Sequence, residues 1–354
     1  MGNARLESLL RKEQTSQAHS LIQPFLHQET DWSMDQIFHI LSASNQLEDA
    51  IEGMRQFCLQ TNLSENMRVG LEFLYSHGFL DDLELLIEKN LASSNEQNRN
   101  WAKLYRVIFN RRKRRQKPHE YLTRLSAFHV AERELICMKD MLHVYAYFEL
   151  RQYGMLGNYV DRLQSMIYDI DNEMLRQLFQ IKLDEIWMTY YWKRNEMIMA
   201  RKYGYKILKQ TFNPRKKIDI HNAMGLGYVF DSYEQAIGHA RDGLHIAQDI
   251  NHSPGIYGIS NYTIPFISAF HRQVEGVQSN DQAEMAHIAL ANGDIETCVS
   301  ILEAFSNLSP FQQYYLGKAK KDKHLLEESH RRFIKEQSDY FYAMMPLQEL
   351  KQLT

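Results

Sequence analysis

The sequence predicts an all-α protein built from repeated helix pairs, and three observations carry that expectation. Apolar residues recur at the helical period of 3.6 along nearly the whole chain. Glycine and proline are scarce, 16 and 7 in 354 residues, which leaves few tight turns for a sandwich or a barrel of hairpins. Short polar or glycine-containing breaks also separate one apolar stripe from the next at recurring intervals. The balance of 44% apolar and 24% charged residues is globular, and a chain of this length can bury a large core.

The stripes can be followed in order. Ile37, Ile40, Leu41 and Leu47 mark the first, and Ile51, Met54, Phe57 and Cys58 the second. Leu83, Leu86, Ile87 and Leu91 repeat the pattern, as do Met141, Val144, Tyr145 and Phe148. Helix–break–helix segments start at Leu41, Leu74, Phe148, Tyr191, Val229, Leu290 and Leu316, separated by 33, 74, 43, 38, 61 and 26 residues. These spacings scatter around the tetratricopeptide length, with 74 read as two steps about a basic run. Tyr315-Leu316-Gly317 matches the core of such a repeat, and Gly225 and Tyr228 have its small-to-aromatic spacing. Ala236 and Ala240 place two small residues on one helical face, where a neighbouring helix can approach. The predicted fold is therefore a tetratricopeptide-like helical-repeat superhelix. Two stretches break the rhythm. Pro118 fits a helix first turn. Asn251–Pro265 reads as a loop or an irregular helix connection, and only Gly255–Ile267 hints at strand-like alternation.

Several function classes fall away. Cys58, Cys137 and Cys298 are odd in number and far apart, which suits neither a disulfide framework nor a C-x-x-C metal site. No apolar run reaches membrane-spanning length, so no membrane partner is expected. Met1–Gln14 is polar and mixed in charge, unlike a secretory signal, so the expected location is cytoplasmic. The histidine pairs His239/His245 and His324/His330 are each six apart and lack a third ligand nearby in sequence; no metal and no cofactor are expected. Gly225-Leu226-Gly227 sits within a helical pattern and follows no strand, so it suits close packing better than phosphate binding. Asp81-Asp82 and Glu327-Glu328 fall at helix starts or on polar faces. With no nucleophile motif either, no enzyme activity is expected.

Charge is uneven although the net value is only −3. Arg111, Arg112, Lys113, Arg114 and Arg115 open a basic run that reads two ways, as a solvated helix end or as a nucleic-acid or anion contact. Between Trp187 and Lys217 nine basic residues face a single acid, Glu196. The block lies mid-array, where the concave face of a repeat stack receives a ligand. A peptide groove needs a cation for a carboxylate, an amide for backbone groups and aromatics for apolar side chains. Asp184, Tyr191, Arg201, Asn222 and Tyr228 are the candidates for these roles.

The segment Ala223–Gln248, with Gly225, Tyr228 and Phe230 in register, resembles the repeat unit of the AimR family of phage arbitrium-peptide receptors. Asn66–Tyr105 and Arg133–Leu163 also resemble its repeats, and the likeness extends diffusely over residues 30–350. The resemblance implies a homodimeric sensor in the bacterial host cytoplasm that binds a short linear peptide. It implies a transcriptional regulator of a lysis–lysogeny decision. It also implies a basic residue in the peptide pocket at Arg201, and dimer contacts from C-terminal helices. Phe333, Tyr340, Phe341, Met344 and Leu347 give residues 331–354 the apolar load of a capping or dimerising helix. The repeats are expected over 30–330. Members begin with a helix-turn-helix, whereas 1–29 offers room only for a short helical segment or remnant of one, with three basic and two acidic side chains in Met1–Gln28. DNA binding therefore competes with a second reading, a peptide-sensing adaptor that acts through protein contacts alone.

Overall fold

In the computed structural model, residues 20–26 and 32–353 are described, and every regular element among them is helical. The N-terminal segment expected over 1–29 lies outside the described residues, apart from a helical stretch at 20–26. The chain divides into two compact units, Met1–Ala146 with Asp161–Lys182, and Tyr147–Val160 with Leu183–Thr354.

The first unit opens with α1 (Met34–Ser44), α2 (Leu47–Gln60), α3 (Ser64–His77), α4 (Leu80–Leu91), α5 (Glu96–Arg112) and α6 (Pro118–Ser126). Consecutive helices pack on each other, and α1, α2 and α3 also touch the next helix but one, as a stack of helical hairpins requires. Ser33 starts α1 with a capping box: its hydroxyl accepts from the Gln36 amide at 3.3 Å while the Gln36 side chain accepts from the Ser33 amide at 2.9 Å. Gly78 ends α3 at φ 86°, a left-handed cap that a side chain would strain. Ile37, Leu41, Ile51, Met54, Phe57 and Cys58 are buried as the periodicity predicts; Ile40, 41% exposed, lies at the edge of its stripe. Pro118 occupies the first turn of α6. The unit also draws on α7 (Arg133–Glu149), α8 (Gly157–Tyr168) and α9 (Glu173–Lys193).

One charged group lies at the core of this unit. The Glu72 carboxylate is fully buried, pairs with Lys182 at 2.5 Å and accepts from Tyr105 at 2.5 Å and from Ser76. The Lys182 ammonium also sits over the Tyr75 ring at 4.5 Å.

The second unit continues with α10 (Met197–Gln210), α11 (Pro214–Gly227), α12 (Tyr233–Asp249), α13 (Ser253–Gly258), α14 (Ile264–Phe270), α15 (Gln282–Ala291), α16 (Ile295–Glu303), α17 (Pro310–Lys320), α18 (Lys323–Arg332) and α19 (Met344–Gln352). The α11–α12 hairpin is set by its ends. Asn213 caps α11 ahead of Pro214, and Ser232 caps α12. A Cβ on Gly225 would stand 2.9 Å from the Ala236 carbonyl oxygen, so glycine there lets the two backbones meet at Ala236 and Ala240. The irregular connection expected at Asn251–Pro265 is α13 followed by a π-helical turn, Ile259–Thr263, that runs into α14; Gly255–Ile267 forms no strand. Residues 331–353 hold the end of α18, a second π turn at Phe333–Gln337, a tight turn and α19, instead of one terminal helix. Trp192, Phe266, Tyr315, Phe333, Phe341 and Tyr342 fill the core here. Lys193 and Asp339 form a buried ion pair at 2.7 Å.

Candidate functional site

The candidate site lies in the second unit, on α10, α11 and α12. Arg201 in α10 donates from Nη2 to the Gly227 carbonyl at 2.8 Å and pairs with Asp231. Gly227 closes α11, so the guanidinium meets the negative end of that helix. Its carbon lies 3.9 Å from the centroid of the Tyr228 ring, a close cation–π contact. Arg201 Nε is buried with no hydrogen-bond partner among the described residues.

A polar chain starts at Tyr228. The Tyr228 and Tyr205 hydroxyls are 3.1 Å apart, and Tyr205 lies 3.2 Å from His239 Nε2. Burial and the bond to Tyr228 push the Tyr205 phenol up to about 12. The Tyr228 ring stacks on the His239 imidazole at 5.6 Å and 13°. His239 Nδ1 lies 3.1 Å from His221 Nδ1, and Asp242 approaches His221 at 3.7 Å. Burial lowers both histidines below their usual range, so both rings are neutral at neutral pH.

Arg201 also lines a surface pocket of about 540 Å³. Met197, Ile198, Phe230 and Phe341 give it apolar walls, and Arg201, Asp231 and Glu196 give it charge. Such a pocket suits an apolar side chain next to a carboxylate.

The five expected peptide-binding residues separate into groups. Arg201 and Tyr228 are brought together. Asn222 is one residue from His221 and accepts from Thr263 Oγ1 at 2.5 Å, a contact supplied by the π turn. Tyr191 belongs to an aromatic group, stacked on Trp187 at 5.3 Å and on Tyr203 at 5.9 Å. Asp184 departs from its expected role: it is fully buried and already holds the Lys206 ammonium at 2.8 Å, so it anchors Lys206 instead of presenting a free carboxylate. The expected basic wall is also largely paired. Lys193, Arg194, Arg201, Lys206 and Lys216 join Asp339, Glu196, Asp231, Asp184 and Glu185. Sequence reasoning missed Met197, Ile198 and Asp231 of the pocket, and His221 and Asp242 of the polar chain.

The other two candidate sets fare differently. In the basic run, α5 ends at Arg112, so these cations cluster at a helix C-terminus. Arg111 lies over the Tyr145 ring at 4.4 Å, Lys113 pairs with Asp81 at 3.3 Å, and Arg115 lies 3.8 Å from Glu84. Arg114 is exposed at φ 54°, where the chain leaves the helix, and Arg112 is half-buried. Of the proposed dimer residues, Phe333 and Phe341 are completely buried in their own unit and cannot meet a partner as they stand. Tyr340 is 46% exposed, and Met344 and Leu347 are partly exposed. No helix among the described residues is long and apolar enough to cross a membrane.

Comparison with known proteins bears on the assignment. The chain is 21% identical over 317 residues to the AimR transcriptional regulator of Bacillus phage SPbeta, covering 85% of this chain and 80% of that protein. An uncharacterised SPbeta prophage-derived protein, YopK of Bacillus subtilis (strain 168), matches to the same extent. An uncharacterised Bacillus anthracis protein is 25% identical over 235 residues, covering 62% of this chain and 86% of its own length. Among solved structures, phAimR with its ligand superposes with a TM-score of 0.75 at 17% identity, over 92% of this chain and 99% of that one. Selenomethionine phAimR gives 0.63 at 16%, over 90% and 84%. These two establish the shared helical-repeat fold. The family profile described as AimR transcriptional regulator-like matches residues 50–352, nearly the whole described chain, and it is a regulator family, not an enzyme family. The chain therefore belongs to the AimR transcriptional regulator-like family.

Proposed function

We propose that this protein is a cytoplasmic receptor for a short communication peptide and that peptide binding in the second unit controls transcription in a phage lysis–lysogeny decision. The observation that carries the proposal is Arg201, a cation whose Nε is buried without a hydrogen-bond partner among the described residues, and which both lies over the Tyr228 ring and lines a pocket walled by Met197, Ile198 and Phe230. A peptide carboxylate competes there with Asp231, whose side chain is 54% exposed and therefore a weak rival. An apolar peptide side chain enters the pocket beside it. The solved phAimR structure that carries a ligand supports reading a relative's fold as a ligand receptor. We place the dimer contact on Tyr340, Met344 and Leu347, and the nucleic-acid contact on the run Arg111, Arg112, Lys113, Arg114 and Arg115 together with the N-terminal segment.

The test is calorimetry with the short peptide encoded beside this gene. Arg201→Ala is expected to weaken binding at least about tenfold, roughly 1.4 kcal/mol, the scale of one charged hydrogen bond. Unchanged affinity removes Arg201 from the site, and no heat with wild-type protein removes the receptor reading. The adaptor reading separates from the regulator reading by a salt-dependent operator shift that disappears when residues 1–28 are deleted.

A further inference from the structure

We infer that His221, His239 and Asp242 form a binding site for a divalent transition metal of the zinc class on the α11–α12 hairpin. The hairpin aims three side chains at one point.

The placement follows from local packing. His239 and Asp242 are three residues apart on α12, so they share a face. His221 comes from α11 and reaches them because the two helices run unusually close. Gly243 is part of that closeness: a Cβ there would lie 3.2 Å from the His221 Cβ. The result is two Nδ1 atoms facing each other at 3.1 Å, with an Asp242 oxygen 3.7 Å from His221. All three ligand atoms lie within 4.8 Å of one another.

Those distances suit a tetrahedral ion. Two imidazole nitrogens bound at about 2.0–2.1 Å on a tetrahedral zinc stand roughly 3.4 Å apart. The observed pair needs a shift of only a few tenths of an ångström. The Asp242 carboxylate must close on His239 by up to about 1.4 Å from a separation within 4.8 Å, a side-chain movement open to a group that is 65% exposed. Two imidazoles and a carboxylate are a borderline donor set that selects zinc-like ions over magnesium or calcium. Three protein ligands leave a fourth position for water or a donor from a bound molecule.

The surroundings also fit. A metal-bound histidine usually has its other nitrogen fixed by a hydrogen bond, which sets its tautomer and orientation. His239 Nε2 has that partner in Tyr205, at 3.2 Å. With Nδ1 on the metal, His239 donates from Nε2 to the Tyr205 oxygen, and Tyr205 in turn donates to Tyr228. His245, six residues beyond His239, is 77% exposed and pairs with Asp249 instead.

The experiment uses the full chain, prepared without a polyhistidine tag and stripped with a chelator. Zn²⁺ is titrated by calorimetry, and Co²⁺ is followed by its visible d–d absorption. The expected result is one ion per chain and a tetrahedral Co²⁺ spectrum. His221→Ala and Asp242→Asn are each expected to weaken Zn²⁺ binding at least about tenfold. His245→Ala should leave it unchanged. Asp242 is exposed, so its variant folds and keeps the test decisive if His221→Ala does not. Zn²⁺ should also raise the melting temperature of wild-type protein more than that of Asp242→Asn. Absence of stoichiometric binding by the wild type overturns the site, and so does binding that survives both Asp242→Asn and His221→Ala unchanged. Because the readouts are metal affinity and spectrum, the result stands apart from the outcome with peptide.

Discussion

Two polar clusters, one in each unit, use similar residues to different ends. In the first unit Glu72 is enclosed: Lys182, Tyr105 and Ser76 all converge on its carboxylate, and both charged partners are almost wholly buried. In the second unit Arg201, Tyr228, Tyr205 and His239 form an equally continuous chain that stays open. Tyr205 is 46% exposed, and Arg201 borders a pocket. A closed cluster has no capacity left for a ligand and acts on stability and specificity of packing. An open one is completed by solvent at its exposed groups, Tyr205 among them, and a ligand can replace that solvent.

Mutation can break this contrast. The largest effect is expected for Lys182→Met, which strands a buried carboxylate and should destabilise the first unit by about 3–5 kcal/mol in urea denaturation. Combining it with Glu72→Met should recover much of the loss; a double variant no better than the single one would mean that packing, not charge, dominates there. Next is Gly225→Ala. Its added methyl meets the Ala236 carbonyl and should cost about 1–3 kcal/mol while also weakening the metal site by spreading α11 from α12. A smaller effect is expected for Tyr205→Phe. It removes the hydroxyl between Tyr228 and His239 for about 1 kcal/mol or less in stability, because the group is half-exposed. If Tyr205→Phe proved as damaging as Lys182→Met, the open cluster would be structural after all.

The smallest effect is a pH dependence in the first unit. His77 donates from Nδ1 to the Phe73 carbonyl at 2.9 Å and stacks on the Phe73 ring at 4.1 Å. Burial lowers its value below the usual 6.5, with Glu72 opposing. The folded form therefore binds the proton less readily than the unfolded one. Its contribution is complete above 6.5 and declines as pH falls through the lowered folded value. Denaturation midpoints at descending pH should show this loss, and His77→Gln should flatten it.

Much of the fold could be read directly from periodicity. Ile37, Leu41, Met54, Phe57, Leu83, Leu86 and Met141 are buried where a 3.6 repeat puts them, and Gly225 with Ala236 and Ala240 marks a close helix pair. The site was legible only in its hub. Arg201 and Tyr228 are 27 apart, one on α10 and one just past the end of α11, and residue type marks them as a cation for a carboxylate and an aromatic for apolar side chains. His221 and His239 are 18 apart, and nothing in either helix alone reveals that their rings face each other. That depends on interhelical distance and on the rotation of each helix. The same limit explains Asp184. Residue type marks Asp184 as a carboxylate for a ligand, but in the fold Lys206 on α10 already holds it. Phe333 and Phe341 looked like surface for a partner because an end helix is usually half-exposed. A π turn and a tight turn instead direct both rings inward.

The π turn at Ile259–Thr263 has a consequence for how this chain can vary. A π turn holds one residue more than the α-helix would, so it resets the angular phase of everything after it. That phase delivers Thr263 to Asn222 and turns Phe266 toward the core aromatics. Deleting a single residue in this turn would restore regular helix and rotate the following side chains by about 100°. The hairpin carrying His221 and Asn222 would lose its brace from Thr263, although every residue within it stayed the same. Length at this one place is thus as constrained as identity, and related chains that keep the brace should keep the residue count of the turn even where its letters change.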